Sequence, residues 1–126
     1  MLQLLFSFEG RLNRAKWWLI NIATSVVYGV VVGAVTGGAA MSSDAEAALS
    51  AVGMIGGLVL LVVSIAYIWI ALAVAAKRWH DRGKSAWWIL IVFVPVIGNL
   101  WYLIECGFLR GTAGANRFGA DPLGAI

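Results

Sequence analysis

The chain has 126 residues, enough for one domain but not two; 62% of them are hydrophobic and only 12% are charged. Soluble domains are usually about 45–50% apolar and about 25% charged, so an ordinary soluble domain is excluded and lipid is the expected solvent. The net charge is +3, but the cations are clustered beside apolar segments. That arrangement excludes the broad basic field of a nucleic-acid-binding protein and is typical of membrane orientation.

The chain begins with residues 1–16, which are too short to span a bilayer and are predicted to lie at its cytoplasmic interface. Three apolar segments follow, at 17–40, 49–76 and 86–109, with no charge before Glu105. Each reaches the roughly 20 residues that cross about 30 Å of hydrocarbon. Backbone groups in lipid must be paired within the segment, so each is predicted to be a helix. A cleaved signal peptide is the weaker interpretation of the first segment, because its apolar run is too long. The predicted fold is an all-α polytopic membrane protein with three transmembrane helices.

The two connections between these segments differ in charge. Residues 41–48 contain Asp44 and Glu46 but no cation, and Ser43 with Glu46 fits a capping box at the start of the second helix. Residues 77–85 carry four cations, and three more precede the first segment: Arg11, Arg14, Lys16, Lys77, Arg78, Arg82 and Lys84. The positive-inside rule therefore predicts a cytoplasmic N-terminus, an external 41–48 loop and a cytoplasmic 77–85 loop.

The third segment is interrupted by Pro95 and Gly98. One interpretation, which we favour, is a span kinked at Pro95 that leaves the polar tail, 110–126, outside. The other is a re-entrant hairpin that returns the tail to the side of residues 77–85 and gathers all nine cations there. Either interpretation puts Glu105 near an interface.

Two tryptophan pairs each follow a cationic stretch. Trp17 and Trp18 come after Arg14, and Trp87 and Trp88 come after Lys84 and Arg82. Indoles one step deeper than cations are typical of interfacial anchors, since the ring is apolar and its N–H stays wet. An aromatic cage for a ligand is the weaker alternative.

His80 beside Asp81 suggests a general base or a metal ligand with its carboxylate partner. However, a zinc site needs three or four ligands, and the chain has no second histidine and one cysteine, Cys106. We therefore predict no catalytic residue, no metal and no cofactor. The alternatives are a helix end closed by Gly83, with Ser85 capping the next helix, or a polar cluster that binds anionic lipid headgroups. The candidate cluster comprises Arg11, Arg14, Arg78, His80, Asp81, Arg82 and Lys84.

Small residues recur every four positions in the first segment and again in the second. The candidate packing positions are Ser25, Gly29, Gly33, Gly37, Gly53 and Gly57. Such stripes let helix backbones approach closely. They are expected either to pack on each other within the monomer or to contact a second copy or a partner's helix.

Both ends of the chain carry motifs of a known family. The stretches "FSFEGRLNRAKWW" and "KRWHDRGKSAWWILIVFVPVIGNLWYLIECGFLRGTAGANRFGADPLG" resemble the DUF805 proteins, small bacterial inner-membrane proteins, over residues 6–18 and 78–122. Trp79, Ala86 and Ala120 depart mildly from the family pattern. The matching positions are Gly10, Arg11, Arg14, Arg78, His80, Asp81, Ser85, Trp87, Asn116, Arg117, Gly119 and Asp121. The resemblance implies a multi-pass inner-membrane protein but no activity, substrate or cofactor.

The turn-rich tail offers Asn116 and Asp121 as anchors of a tight polar knot. If the tail is cytoplasmic, Arg117 and Asp121 are expected to meet Arg11 and the His80–Asp81 pair in one polar lid.

Two functions remain as hypotheses. The first is an inner-membrane accessory or stabilising subunit, or a homo-oligomer, that acts through helix packing. The second is a small transporter or anionic-lipid-handling protein that uses the basic 77–85 loop. An enzyme ranks third, and nucleic acid is not an expected partner.

Overall fold

A computed structural model describes residues 1–40 and 44–123 of the chain. Three α-helices come first: α1 (Leu2–Phe6), α2 (Arg14–Ala40) and α3 (Ala45–Asp81). A 3-10 helix (Ala86–Phe93), α4 (Ile97–Tyr102) and a π-helix (Leu103–Phe108) follow. Ser43, half of the predicted capping box, lies outside the described residues.

Within the described residues, two helical stretches are long and apolar enough to cross a membrane, Arg14–Gly37 with 24 residues and Gly53–Asp81 with 29. The described residues contain no β-strand, only one isolated bridge between Asn116 and Gly119. The prediction of a helical chain is confirmed for these residues, and two of the three predicted spans coincide with helices that are candidates for crossing a membrane. The prediction of a third spanning helix is not confirmed.

The third apolar segment folds back on itself. Its 3-10 helix ends at Phe93, and Val96 takes a positive φ of 64° just before α4 begins. Asn99 then donates to the Val92 carbonyl at 3.3 Å, and the rings of Trp88 and Trp101 lie 6.3 Å apart. A kinked span would separate the ends of this segment by about 30 Å of helix. The favoured kinked-span interpretation is therefore not confirmed, because residues 86–108 form a helical hairpin.

Gly98 lies at the crossing of this hairpin. A Cβ on Gly98 would overlap the carbonyl of Ile91. Only glycine lets the two arms approach this closely, which is why Gly98 serves the fold by close contact rather than by flexibility.

The chain divides into two compact units: residues 22–68, and residues 1–21 together with 69–126. In the first unit, α2 and α3 are joined by two hydroxyl pairs. Ser25 contacts the Tyr67 hydroxyl at 3.1 Å, Tyr28 contacts Ser64 at 2.9 Å, and the two tyrosine rings stack at 4.6 Å. These polar side chains thus join the two helices and fix which residues of α2 face which residues of α3.

The glycine stripes do not pack on each other within the monomer. A Cβ placed on Gly29, Gly33, Gly37 or Gly57 would meet nothing within 4 Å beyond its own helix. Gly53 has φ 60° and ψ −177°, a glycine-only conformation that interrupts α3. The prediction of mutual packing within the monomer is therefore wrong, and Gly53 provides a backbone break.

The second unit has a small core made of Leu12, Trp17, Ile20, Val74, Trp79 and Cys106. Trp17 is only 4% exposed and packs edge-on against Trp18 and Tyr102. Its role as a wet interfacial anchor is wrong, because its ring is buried inside the protein. Trp87, in contrast, is 78% exposed.

Candidate functional site

The polar residues of the second unit meet around Asp81, at the C-terminus of α3. Its carboxylate accepts from the Arg11 guanidinium at 3.0 Å and forms a closer ion pair with Arg78. The three side chains are 4%, 1% and 0% exposed, respectively. We call Arg11, Arg78 and Asp81 the buried ion triad. Charges this deep are tolerated when they are paired and hydrogen-bonded.

Arg78 connects three segments of the chain. Besides Asp81, its guanidinium donates to the carbonyls of Cys106 at 2.6 Å, Leu12 at 3.2 Å and Leu109 at 2.6 Å. The planar, multi-donor guanidinium suits this task, and lysine would not replace it. Arg78 therefore has no free face for a lipid headgroup, so its predicted role in headgroup binding is wrong.

Arg11 attaches the C-terminal tail to the triad. It donates to the carbonyls of Gly114 at 2.6 Å and Thr112 at 2.5 Å. Thr112 in turn donates its backbone N–H to the Asp81 carbonyl at 2.6 Å. Gly111 passes so close to the Asp81 carboxylate that a Cβ there would overlap it. The tail thus lies against the end of α3.

His80 makes structural contacts on both sides. Its Nδ1 lies 3.0 Å from the Gly10 carbonyl, and its ring stacks on Phe118 with centroids 4.0 Å apart. The Asn116 side-chain amide donates to the His80 carbonyl at 2.9 Å. These contacts give His80 a role in docking the N-terminal segment and the tail.

The tail folds into the polar knot that its turn residues predicted. Asn116 and Gly119 exchange backbone hydrogen bonds, and the Asn116 carboxamide also accepts from the Phe118 N–H at 2.9 Å. The Asp121 carboxylate accepts from the backbone N–H groups of Leu123 and Gly114, each at 3.0 Å. These bonds favour the ionised carboxylate and lower the pKa of Asp121.

Glu105 forms a second ionic cluster at the base of the hairpin. It pairs with Lys84 and, at 3.5 Å, with Arg82, and it accepts from the Trp101 indole at 2.5 Å. Lys84 also lies over the Trp88 ring, 4.4 Å from its centroid. Burial raises the pKa of Glu105, but the hydrogen bonds from Lys84 and Trp101 outweigh it and leave the pKa below its usual value.

The structure also shows where the other predicted capping and polar residues lie. Gly83 has φ 77° and ends α3, as expected, whereas Ser85 makes no side-chain capping bond. Arg14 is exposed and donates to the Phe108 carbonyl at 2.6 Å, and Arg117 is exposed and lies over the Phe118 ring. Of the predicted polar cluster, Arg11, Arg78 and Asp81 form the buried ion triad. Arg82 and Lys84 instead join Glu105.

Sequence reasoning missed three residues of these clusters. Trp79 is fully buried in the core of the second unit. Phe118 stacks on the His80 ring, and the Trp101 indole donates to the Glu105 carboxylate. Charge opposition was the available signal for Glu105, since it is the only acid between Asp81 and Asp121, and Asp81 is the only acid among the four cations of 77–85.

The chemistry available at this site is narrow. In residues 1–40 and 44–123, no group of three or more His, Cys, Asp or Glu side chains is arranged to hold a metal ion. Burial raises the pKa of the Cys106 thiol to about 12, so the thiol stays protonated and is a poor nucleophile at neutral pH. The arrangement serves to join segments of the chain.

The residues at these junctions are those whose motifs resemble a family. A model of the family described as "Protein of unknown function (DUF805)" matches residues 5–120. The chain belongs to the DUF805 family. The matched range contains the three residues of the buried ion triad and, in the tail, Asn116 and Gly119.

Relatives in the family are similar over nearly their whole length. Inner membrane protein YhaI of Escherichia coli (strain K12) is 31% identical over 120 residues, covering 91% of this chain and 85% of the relative. Inner membrane protein YhaH of the same strain is 32% identical, covering 91% and 86%. Uncharacterized protein YiiR is 29% identical over 144 residues, covering 94% and 88%. No solved structure matches the DUF805 chain.

Proposed function

We propose that this DUF805 protein is an inner-membrane accessory or stabilising subunit, or a homo-oligomer, that acts through helix packing. The observation that carries the proposal is the unoccupied glycine face of α2. Gly29 and Gly33 are exposed, and a Cβ on either would meet nothing within 4 Å outside its own helix. Small residues at this spacing let a second helix approach backbone to backbone.

The polar contacts of the second unit support a role in association over one in catalysis. The buried ion triad and Glu105 with its cations hold the N-terminal segment, the end of α3, the hairpin and the tail together. A nucleophile needs a neighbouring base within hydrogen-bond reach, and His80 instead contacts the Gly10 carbonyl and the Phe118 ring.

The proposal includes a topology with two spans and a re-entrant hairpin. Eight residues of 3-10 helix reach about 16 Å, about half of the hydrocarbon thickness. Exposed apolar side chains cover the first arm and the tip of the hairpin: Trp87 and Leu90 on the arm, and Phe93, Val94, Val96 and Ile97 at the tip. We expect this tip to enter the bilayer without crossing it.

The charge distribution supports a cytoplasmic N-terminus in this topology. All nine cations and four carboxylates lie in residues 1–21 and 69–126, a net charge of +5, while residues 22–68 hold the other two carboxylates and no cation. The positive-inside rule then puts both termini and the 77–85 loop in the cytoplasm and the 41–48 loop outside. This proposed topology differs from the kinked-span interpretation, in which the tail lies outside.

The alternative function, a lipid-handling or transport protein that uses the 77–85 loop, has weaker support. Arg78 is saturated by internal acceptors, and Arg82 and Lys84 are engaged with Glu105. Any anionic lipid would therefore have to bind other cations.

The test is a pair of bulky substitutions on the open face. Gly29→Leu and Gly33→Ile are combined, and oligomeric mass and co-purifying membrane proteins are measured in mild detergent. We expect a smaller oligomer or loss of a stoichiometric partner. Because a Cβ at either position meets nothing within 4 Å outside its own helix, the monomer should keep its helix content.

The matched control is Val27→Phe, which adds four carbon atoms, as each glycine substitution does, on the opposite side of the same helix. Val27 is 62% exposed and lies two residues from Gly29, about 160° around the helix. Unchanged mass and partners in the glycine variant, or equal losses in both variants, would refute the packing role.

A further inference from the structure

A cleft lies between the start of α2 and the chain just after the π-helix. Its volume is about 350 Å³, within the range of ligand-binding pockets. Arg14 and Arg110 line it together with Asp81, and Trp18, Phe108 and Leu123 provide apolar surface. All of these residues belong to the unit formed by residues 1–21 and 69–126.

The cleft is electropositive. Asp81 is its acidic member, but its carboxylate is already paired with two guanidiniums, those of Arg11 and Arg78. Arg14 is exposed and uses one N–H on the Phe108 carbonyl, which leaves further donors. Arg110 is exposed, and its side chain makes no hydrogen bond or ion pair with the described part of the chain. Two guanidinium groups with spare donors suit a phosphate or phosphodiester.

The apolar side of the cleft distinguishes between phosphate-bearing ligands. Phe108 is 59% exposed and Leu123 is 50% exposed, and Trp18 lines the same space. Arg14 is also the first residue of a helix long enough to span the membrane, so in a membrane the cleft is at the level where headgroups give way to acyl chains. A soluble anion such as phosphate would bind the two arginines but would make no contact with the apolar side chains of the cleft.

We propose that this cleft binds one anionic phospholipid. Its phosphodiester lies between Arg14 and Arg110, and the start of an acyl chain packs on Trp18 and Phe108. The site uses none of the four cations of the 77–85 loop, and it does not depend on the helix-packing function proposed above.

The test compares lipid retention by native mass spectrometry after purification in detergent. The wild-type protein and an Arg14→Ala/Arg110→Ala variant are each exposed to phosphatidylglycerol or to zwitterionic phosphatidylethanolamine in equal amounts. We expect one retained phosphatidylglycerol in the wild type and about a tenfold loss in the variant, since two charge-assisted contacts are removed. Phosphatidylethanolamine should be retained less by the wild type.

The matched control is Lys16→Ala/Arg117→Ala, which removes the same charge from exposed residues that do not line the cleft. It should retain phosphatidylglycerol like the wild type. Arg110→Glu is the second variant, because it inverts the charge without removing an internal hydrogen bond, and it should also lose the lipid. Excess inorganic phosphate should not displace the lipid.

Three outcomes would overturn the proposal. Equal loss in the cleft and control variants would indicate a diffuse charge effect. Equal retention of both lipids by the wild type would remove the anionic preference. Full displacement by inorganic phosphate would assign the cleft to a soluble anion.

Discussion

Replacing Asp81 by asparagine tests whether the buried ion triad holds the tail. The substitution keeps the size of the side chain and removes its charge, which leaves the Arg11 and Arg78 guanidiniums facing a neutral amide. Both arginine side chains are almost fully buried, at 1% and 0% exposure. Neither can recover the lost charge from water without opening the structure.

Breaking a buried ion pair usually costs about 3–5 kcal/mol. The lower end is appropriate here, because the asparagine carbonyl still accepts one hydrogen bond and Arg78 keeps three carbonyl acceptors. At about 1.36 kcal/mol for each factor of ten, a loss of about 3 kcal/mol favours opening of the tail by roughly a hundredfold.

Hydrogen exchange measures this opening directly. The amide of Thr112 donates to the backbone carbonyl of residue 81, and Asn116 and Gly119 exchange amide bonds within the knot. We expect these amides to lose protection by roughly a hundredfold, while amides in residues 22–68 keep theirs. Glu9→Gln is the control, since Glu9 is exposed and forms no ion pair with the described residues. Equal protection in both variants would refute the reasoning.

Two further predictions concern the backbone and the topology. Gly111→Ala should lower the Tm in detergent by the equivalent of about 1–3 kcal/mol, because its Cβ overlaps the triad carboxylate. The control, Gly29→Ala, should leave the Tm unchanged or raise it, because its Cβ meets nothing. If both variants changed the Tm equally, the close contact of Gly111 with Asp81 would be contradicted. On intact spheroplasts, an impermeant maleimide should label a cysteine at Asp44 but not one at Ala115, and native Cys106, which is 0% exposed, should stay unlabelled. Labelling at Ala115 without permeabilisation would exclude the re-entrant topology.

The membrane-spanning helices were predictable because they follow from local composition. A run of apolar residues long enough to cross hydrocarbon has few alternatives to a helix. Gly83 was equally local, since a glycine after the last turn of a helix is a common terminator. The polar knot around Asn116 and Asp121 was foreseeable for the same reason, because short polar side chains hydrogen-bond to backbone groups close in sequence.

The hairpin and the ionic clusters depend on contacts between distant residues. Pro95 permits both a kink and a reversal, and in the hairpin Glu105 pairs with Lys84, 21 positions earlier in the chain, a contact that the local sequence does not reveal. The same reasoning explains the error at Trp17. Its neighbours in sequence suggested an interface, whereas its partner Tyr102 is supplied by the returning arm of the hairpin.

The carbonyl partners of Arg78 impose an order on biosynthesis. The guanidinium leaves the ribosome long before Cys106 and Leu109, two of the groups that satisfy it. Until those residues arrive, Arg78 can pair with Asp81 and the Leu12 carbonyl but lacks two of its final acceptors, so part of its guanidinium must remain hydrated. The contacts around Arg78 are therefore completed only after Leu109 has been translated, and chains truncated before residue 109 would leave part of this guanidinium without its protein acceptors.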